Sequence, residues 1–358
     1  MPADESSRLD ETGRRATRCV KIQVWFDDPM EDYKNREREK SEQRGFSMSA
    51  AAGAQIQPSE SDNPGGIRVR RLAGRIGAEL SGIKLDGNIS TAQVEEIRKA
   101  LLAHRVVFFR DQDQFSDTDQ ERFANMLGGL VPHPTEQALM GTKGILELDA
   151  AAGNGKADVW HTDVTFVDAY PRYSVLRAMR IPEVGGDTLW ANTVAAYDDL
   201  SPQLKVLAES LWAVHSNKYD YAAQHAAATP EEAAHYEKVF ASQVYEAEHP
   251  VVRIHPETGE KSLVLGYFIQ RFVGHNHVDS NLLFTLLQNH VIRMENIVRW
   301  NWRAADVAIW DNQATQHYAL NDYGKANRTM RRVTIAGEVP VSVDGRRSKT
   351  LKEPARAE

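Results

Sequence analysis

At 358 residues and a formal net charge of −7, the chain can bury one large core or two modest ones, and it lacks the basic excess that nucleic-acid binding demands. Its single cysteine, Cys19, excludes an internal disulfide framework and a thiolate metal cage, and a reducing cytoplasm is the expected setting. No apolar run approaches the roughly 18 residues that a membrane-spanning helix needs.

Residues 1–66 differ in composition from the remainder. The charged run Glu31 to Lys40 and the Ala/Ser/Gly/Pro-rich stretch from Ser47 to Gly66 offer too little apolar surface to offset ordering, so a mobile N-terminal extension is expected. Val20 to Phe26 is too interrupted by polar residues for a signal peptide, and Met48 is a candidate biological start. Folded structure is expected over 67–340, followed by a C-terminal tail over 341–358. It opens with Ile67 to Arg70. Ser90-x-x-Gln93 then signals a capped helix with Val94, Ile97, Leu101 and Leu102 on one stripe. Val106 to Phe109 reads as a buried strand, and Ser116-x-x-Asp119 opens a second helix that stops near Gly128-Gly129. Short strands follow at Ile145–Leu148, Ser174–Met179, Thr188–Ala191, Val251–Ile254, Leu263–Leu265, Ile297–Trp302, Val307–Trp310 and Arg332–Ile335. Helices are expected around Pro202–Leu211 and Asn281–Met294. Many short strands without a βαβ rhythm point to a β-sandwich or barrel with flanking helices.

Within that β-rich part lies Trp160-His161-Thr162-Asp163-Val164, answered downstream by Trp310-Asp311-Asn312-Gln313-Ala314-Thr315-Gln316-His317. Two imidazoles and one carboxylate form the ligand set that holds non-haem iron(II) on one face and leaves the other open. Three further His-x-acid pairs compete with it. Asp279 in His277-x-Asp279 reads as a helix N-cap with His277 in a loop; Glu237 of His235-x-Glu237 lies in a polar helical stretch; Glu257 of His255-x-Glu257 lies in a turn. Only His161 and Asp163 adjoin an apolar strand-like run and have a distal histidine in a similar setting.

The chain from about Ile67 to Pro340 resembles the iron(II)- and 2-oxoglutarate-dependent dioxygenases of the taurine dioxygenase family. The shared text keeps family order: Arg105-Val106-Val107-Phe108-Phe109-Arg110, the His161 run, Gly185-Gly186-Asp187-Thr188-Leu189-Trp190, His249-Pro250-Val251-Val252-Arg253, and Ala308 to Asn312 leading to His317, Arg328 and Arg332. Trp212 to Tyr221 and His255 to Gly274 look closest to the branch that oxidises alkyl sulfate esters. The resemblance implies a mainly β fold with flanking helices, a double-stranded β-helix or cupin-like jelly roll.

It also implies residue roles. His161, Asp163 and His317 hold iron(II); Arg328 and Thr188 take the distal carboxylate of 2-oxoglutarate; His133, Val164 and Arg332 bind the sulfur-oxygen head of the substrate; dioxygen is the second co-substrate. Oxidative decarboxylation of 2-oxoglutarate to succinate then drives hydroxylation of the carbon beside a sulfate ester or sulfonate, which collapses to aldehyde and sulfate or sulfite. Arg331 is the solvated neighbour. Where taurine enzymes carry a tyrosine and an asparagine near the substrate amine, this chain has Glu136 and Ala157, which favours alkyl sulfates or plain sulfonates over taurine. Competing readings are a taurine dioxygenase proper, a member acting on phenoxyacetates, and a zinc-dependent sulfate ester hydrolase using the same ligands. The expected partners are a small anionic organosulfur substrate and further copies of the chain in a homo-oligomer, with neither nucleic acid nor membrane.

Overall fold

A computed structural model describes residues 66–150, 157–218 and 244–354; the proposed mobile extension and His235-x-Glu237 lie outside the described residues. Both expected capping boxes form. Ser90 accepts from the Gln93 amide at the start of helix Thr91–His104, and Ser116 from the Asp119 amide at the start of helix Asp117–Leu127. Each helix turns an apolar stripe onto one face of the largest sheet, whose order is Arg68–Arg71, Ala78–Ser81, Val106–Phe109, Val307–Asp311, Tyr173–Arg180, Thr329–Ile335, Leu130–Val131, with Leu146–Asp149 also paired to Thr329–Ile335.

Strand alternation splits this sheet between two cores. Val107, Phe109, Val175, Ile309, Val333 and Ile335 pack with Ile97, Leu101, Phe123 and Leu127 of the helices. Val106, Phe108, Leu176, Ala308, Trp310 and Met330 face the other way, onto Trp190, Trp300 and Trp302. Trp190 and Trp300 belong to a facing three-stranded sheet, Ile297–Trp300, Thr188–Asn192 and Thr315–Ala319. Two facing β layers with helices outside make the cupin-like jelly roll. Arg332 therefore shares the interior face with Met330, as alternation from the neighbouring valine and isoleucine requires.

Three expectations need correction. The segment over 341–358 is not simply a tail: Val341–Ser342 pairs with Val252–Ile254, and Lys349–Lys352 pairs with Glu246–Pro250. The last long helix runs His277–Val291 rather than from Asn281 to Met294. Its N-cap is Asn276, which accepts from the Asp279 amide at 2.9 Å, so His277 is helical and Asp279 lies in the first turn instead of capping it. Arg331 is not merely solvated, since it bonds Asp117 at 2.7 Å and Glu147 at 2.9 Å. Among the described residues no helix is long and apolar enough to cross a membrane.

Candidate active site

The two histidines are brought together by backbone pairing. His161 donates its amide to the His317 carbonyl at 3.1 Å and accepts from the His317 amide at 2.8 Å, which sets the imidazoles side by side with centroids 4.1 Å apart. Such a close approach leaves no room on the neighbouring segment. Gly266 has φ +108°, and a Cβ there would meet the His161 Cα at 3.2 Å and the Trp160 carbonyl at 3.1 Å. Asp163 Oδ1 lies 3.7 Å from His161 Nε2 and 3.8 Å from His317 Nε2, and all three side chains are buried.

This donor set fits a divalent metal. His161 Nδ1 lies 2.8 Å from the Val159 carbonyl, which can only accept, so the proton sits on Nδ1 and the Nε2 lone pair faces the carboxylate. Burial, with His161 alongside, holds the His317 imidazole well below its usual pKa and hence neutral. Burial pushes the Asp163 carboxyl up, but Arg332 and the two imidazoles outweigh it and hold Asp163 well below the usual range. Among the described residues this is the one cluster of three or more His, Cys, Asp or Glu with metal-binding spacing. The rival pair His255-x-Glu257 is engaged elsewhere: His255 Nε2 meets Asp311 at 2.9 Å, and Glu257 pairs with Arg98 and the Tyr173 hydroxyl.

Sequence reasoning missed the residues that orient Asp163. Ser174 donates to its Oδ2 at 3.0 Å, and Asn312 clamps its backbone by accepting from the Asp163 amide and donating to the Asp163 and Pro171 carbonyls. Asn312 lies in the quoted downstream run; Ser174 carried no local signal. Outer partners of this kind are worth about 10- to 100-fold in metal affinity. Ser174→Ala is accordingly expected to weaken Mn(II) binding by about that factor with the fold retained, as titration calorimetry would show. Unchanged affinity would leave Ser174 without an orienting role.

Arg328 is 4 % exposed, and no carboxylate among the described residues pairs with it. Its Nε donates to the Gly186 carbonyl at 3.1 Å and its Nη2 reaches Thr188 Oγ1 at 3.4 Å. Burial lowers its pKa. Thr188 Oγ1 also accepts from Trp302 Nε1 at 2.9 Å, which leaves the hydroxyl proton to donate elsewhere. Gly186 is required here: it has φ +72°, and a Cβ would crowd Arg328 Cδ at 3.1 Å.

Arg332 donates from Nη1 to Asp163 Oδ1 at 2.6 Å. His133 accepts at Nδ1 from the Thr135 and Glu136 amides at 3.3 and 3.2 Å, so its Nε2 carries the proton in the neutral ring. Burial, reinforced by Arg332, pushes His133 down to about 3, while Asp163 opposes the shift. The ring remains neutral at physiological pH. Glu136 shares this environment; burial raises its pKa and Arg332 opposes. Ala157 contributes its carbonyl to the Ala319 amide.

Val164 has φ +61°, an outlier for a β-branched residue that costs about 1–3 kcal/mol. Its side chain packs with Phe166 and Phe268, flanked by Tyr245 and Tyr267. Phe268 lies edge-on to His161 with centroids 6.2 Å apart, and Phe166 lies 6.4 Å from His133. This apolar wall spans a candidate metal ligand and a candidate substrate ligand; Val164 was expected at the site, but which aromatic residues join it was not readable in the sequence.

A buried His-Asp-His set, a buried guanidinium with no carboxylate partner among the described residues and a second interior arginine fit one class, the iron(II)- and 2-oxoglutarate-dependent dioxygenases. The profile of the Taurine catabolism dioxygenase TauD, TfdA family matches residues 68–334, and the chain belongs to that family. It is 54 % identical over 287 residues to an alpha-ketoglutarate-dependent sulfate ester dioxygenase of Pseudomonas putida, covering 80 % of this chain and 95 % of the relative. It is likewise 54 % identical over 284 residues to an alkylsulfatase of Acinetobacter baylyi, covering 79 % and 89 %. Among solved structures, a taurine dioxygenase from Burkholderia xenovorans superposes with TM-score 0.67 at 36 % identity, covering 80 % of this chain and 95 % of that one.

Proposed function

We propose that the protein oxidises the carbon beside the ester oxygen of an alkyl sulfate, with His161, Asp163 and His317 as iron ligands. The observation that carries the reading is Arg332, buried on the interior face, bonded to the triad carboxylate and acting electrostatically on His133. Bound iron(II) with 2-oxoglutarate and dioxygen supplies the hydroxylating chemistry, consuming 2-oxoglutarate to succinate and carbon dioxide.

The chain's own residues bind, orient and exclude water. Arg328 provides a planar fork for the distal carboxylate of 2-oxoglutarate, and Thr188 a hydroxyl donor beside it. Arg332 and the His133 Nε2–H present a cation and a neutral donor to the sulfate head. Val164, Phe166 and Phe268 cover the alkyl chain and keep the reacting carbon dry. The hydroxylated ester is a hemiacetal sulfate; its C–O bond to sulfate breaks as the carbonyl forms, giving aldehyde and sulfate. Both 54 % identical relatives carry sulfate-ester names, which supports this substrate class. Nothing in the comparisons supports the zinc hydrolase.

A medium-chain alkyl sulfate is expected to show a higher kcat/KM than taurine, simple sulfonates or phenoxyacetates, with sulfate and aldehyde released in step with succinate. If taurine is preferred and sulfite appears, Glu136, which shares the electrostatic environment of Arg332, is accepting an ammonium group and the taurine reading replaces this one.

A further inference from the structure

Behind the strained Val164 turn lie two histidines for which the reaction above has no use. His249 and His215 are both fully buried, on adjacent strands Glu246–Pro250 and Trp212–Ser216, with rings perpendicular and centroids 4.9 Å apart. Both address Thr165, the residue after Val164. His249 Nε2 lies 2.7 Å from the Thr165 carbonyl, and His215 Nδ1 lies 2.9 Å from the Thr165 hydroxyl. A carbonyl only accepts, so His249 carries its proton on Nε2 and its Nδ1 accepts from Ser348 Oγ at 2.7 Å. Ser348 directly precedes the Lys349–Lys352 strand, which pairs on the far side of Glu246–Pro250.

We propose that Ser348, His249 and His215 form a latch that holds Thr165, and through it the left-handed Val164, in the shape that receives the organosulfur substrate. A β-branched residue at positive φ persists only where its surroundings over-determine it. On the upstream side Asn312 fixes the Asp163 backbone; on the downstream side the His249 and His215 bonds fix Thr165. Burial holds His249 down to about 4 and His215 well below its usual value, so both stay neutral and the donor on Thr165 is permanent. The histidines are positioning residues that touch no reacting atom. The latch also gives the C-terminal segment a task at the site, through one serine hydroxyl.

This inference rests on the proposed role of Val164 and Arg332 in substrate binding, and its test separates the two. Asp163 itself is anchored by Ser174, Arg332 and Asn312, so loosening the turn is expected to affect the substrate and spare the metal. In His249→Leu, KM for the organosulfur substrate is expected to rise about tenfold, the worth of one lost hydrogen bond, while KM for 2-oxoglutarate and Mn(II) affinity stay at wild-type values. His249→Gln, whose amide nitrogen reaches the place of Nε2, is expected to restore the substrate KM. Equal behaviour of the Leu and Gln proteins, an unchanged KM, or losses spread evenly over substrate, 2-oxoglutarate and metal would overturn the latch. Should His249→Leu fail to fold, Ser348→Ala is the second arm: a two- to threefold rise in KM is expected from the loss of orientation alone (about half a hydrogen bond's worth), and no rise overturns the latch. All comparisons use whichever anion the wild type oxidises best. A preference for taurine then removes the assigned substrate but still lets the latch be judged on the same KM ratios.

Discussion

Asp163→Ala is expected to abolish succinate formation coupled to substrate. Asp163 is the sole carboxylate of the three-residue cluster, and its loss leaves two imidazoles with no anionic ligand to balance a dication. It also removes the Asp163 member of a buried ion pair with Arg332, and breaking such a pair by deleting one partner costs about 3–5 kcal/mol. The melting temperature is therefore expected to fall even though the jelly roll persists. Asp163→Asn keeps the shape and the oxygen facing Arg332, and distinguishes loss of charge from loss of packing. Oxygen consumption, succinate release and circular dichroism together decide the matter. Substantial turnover in the alanine protein with iron retained would remove Asp163 from the ligand set.

Arg328→Ala and Arg332→Ala are expected to fail in different ways. Arg328 is buried, its guanidinium is charged by its own basicity, and no carboxylate among the described residues pairs with it, so it is placed for an anion supplied by a ligand. Truncating one member of a buried, hydrogen-bonded charge pair costs about 2–5 kcal/mol, which is ~30-fold to a few thousand-fold in affinity. For Arg328→Ala that loss is expected in KM for 2-oxoglutarate; for Arg332→Ala it is expected in KM for the sulfur substrate. Arg328→Lys keeps the charge without the planar fork and is expected to recover only part of the loss. Steady-state kinetics with each ligand varied at saturation of the other is the measurement. The opposite assignment of the two KM effects would exchange the arginines.

Neutral His133 adds a pH consequence that a charged histidine would not. With its pKa held near 3 by burial and Arg332, it donates from Nε2 without change of charge above about pH 4, so substrate KM should show no histidine titration near pH 6.

What could be read from the chain alone was local or was ordered along it. The capping boxes at Ser90 and Ser116 form because the interacting groups lie three residues apart, and no distant partner can alter that reach. The interior direction of Arg332 follows from period-two alternation next to Val333 and Ile335. His161, Asp163 and His317 were legible from ligand chemistry and family order. Other features depended on what lies opposite in space. Lys349–Lys352 is exposed along its whole length and carries no alternation; it is a strand because Glu246–Pro250 offers it an edge. Trp212–Ser216 is buried throughout, so its pattern has no period to read, and pairing on both sides defines it. The Ser174 bond to Asp163, the wall of Phe166 and Phe268, and the two histidines on Thr165 join residues brought near only by sheet closure. The sequence by itself determined which groups are candidates for the chemistry; only tertiary packing decided which groups hold them in place, because a hydrogen bond between distant segments leaves no periodic trace in either.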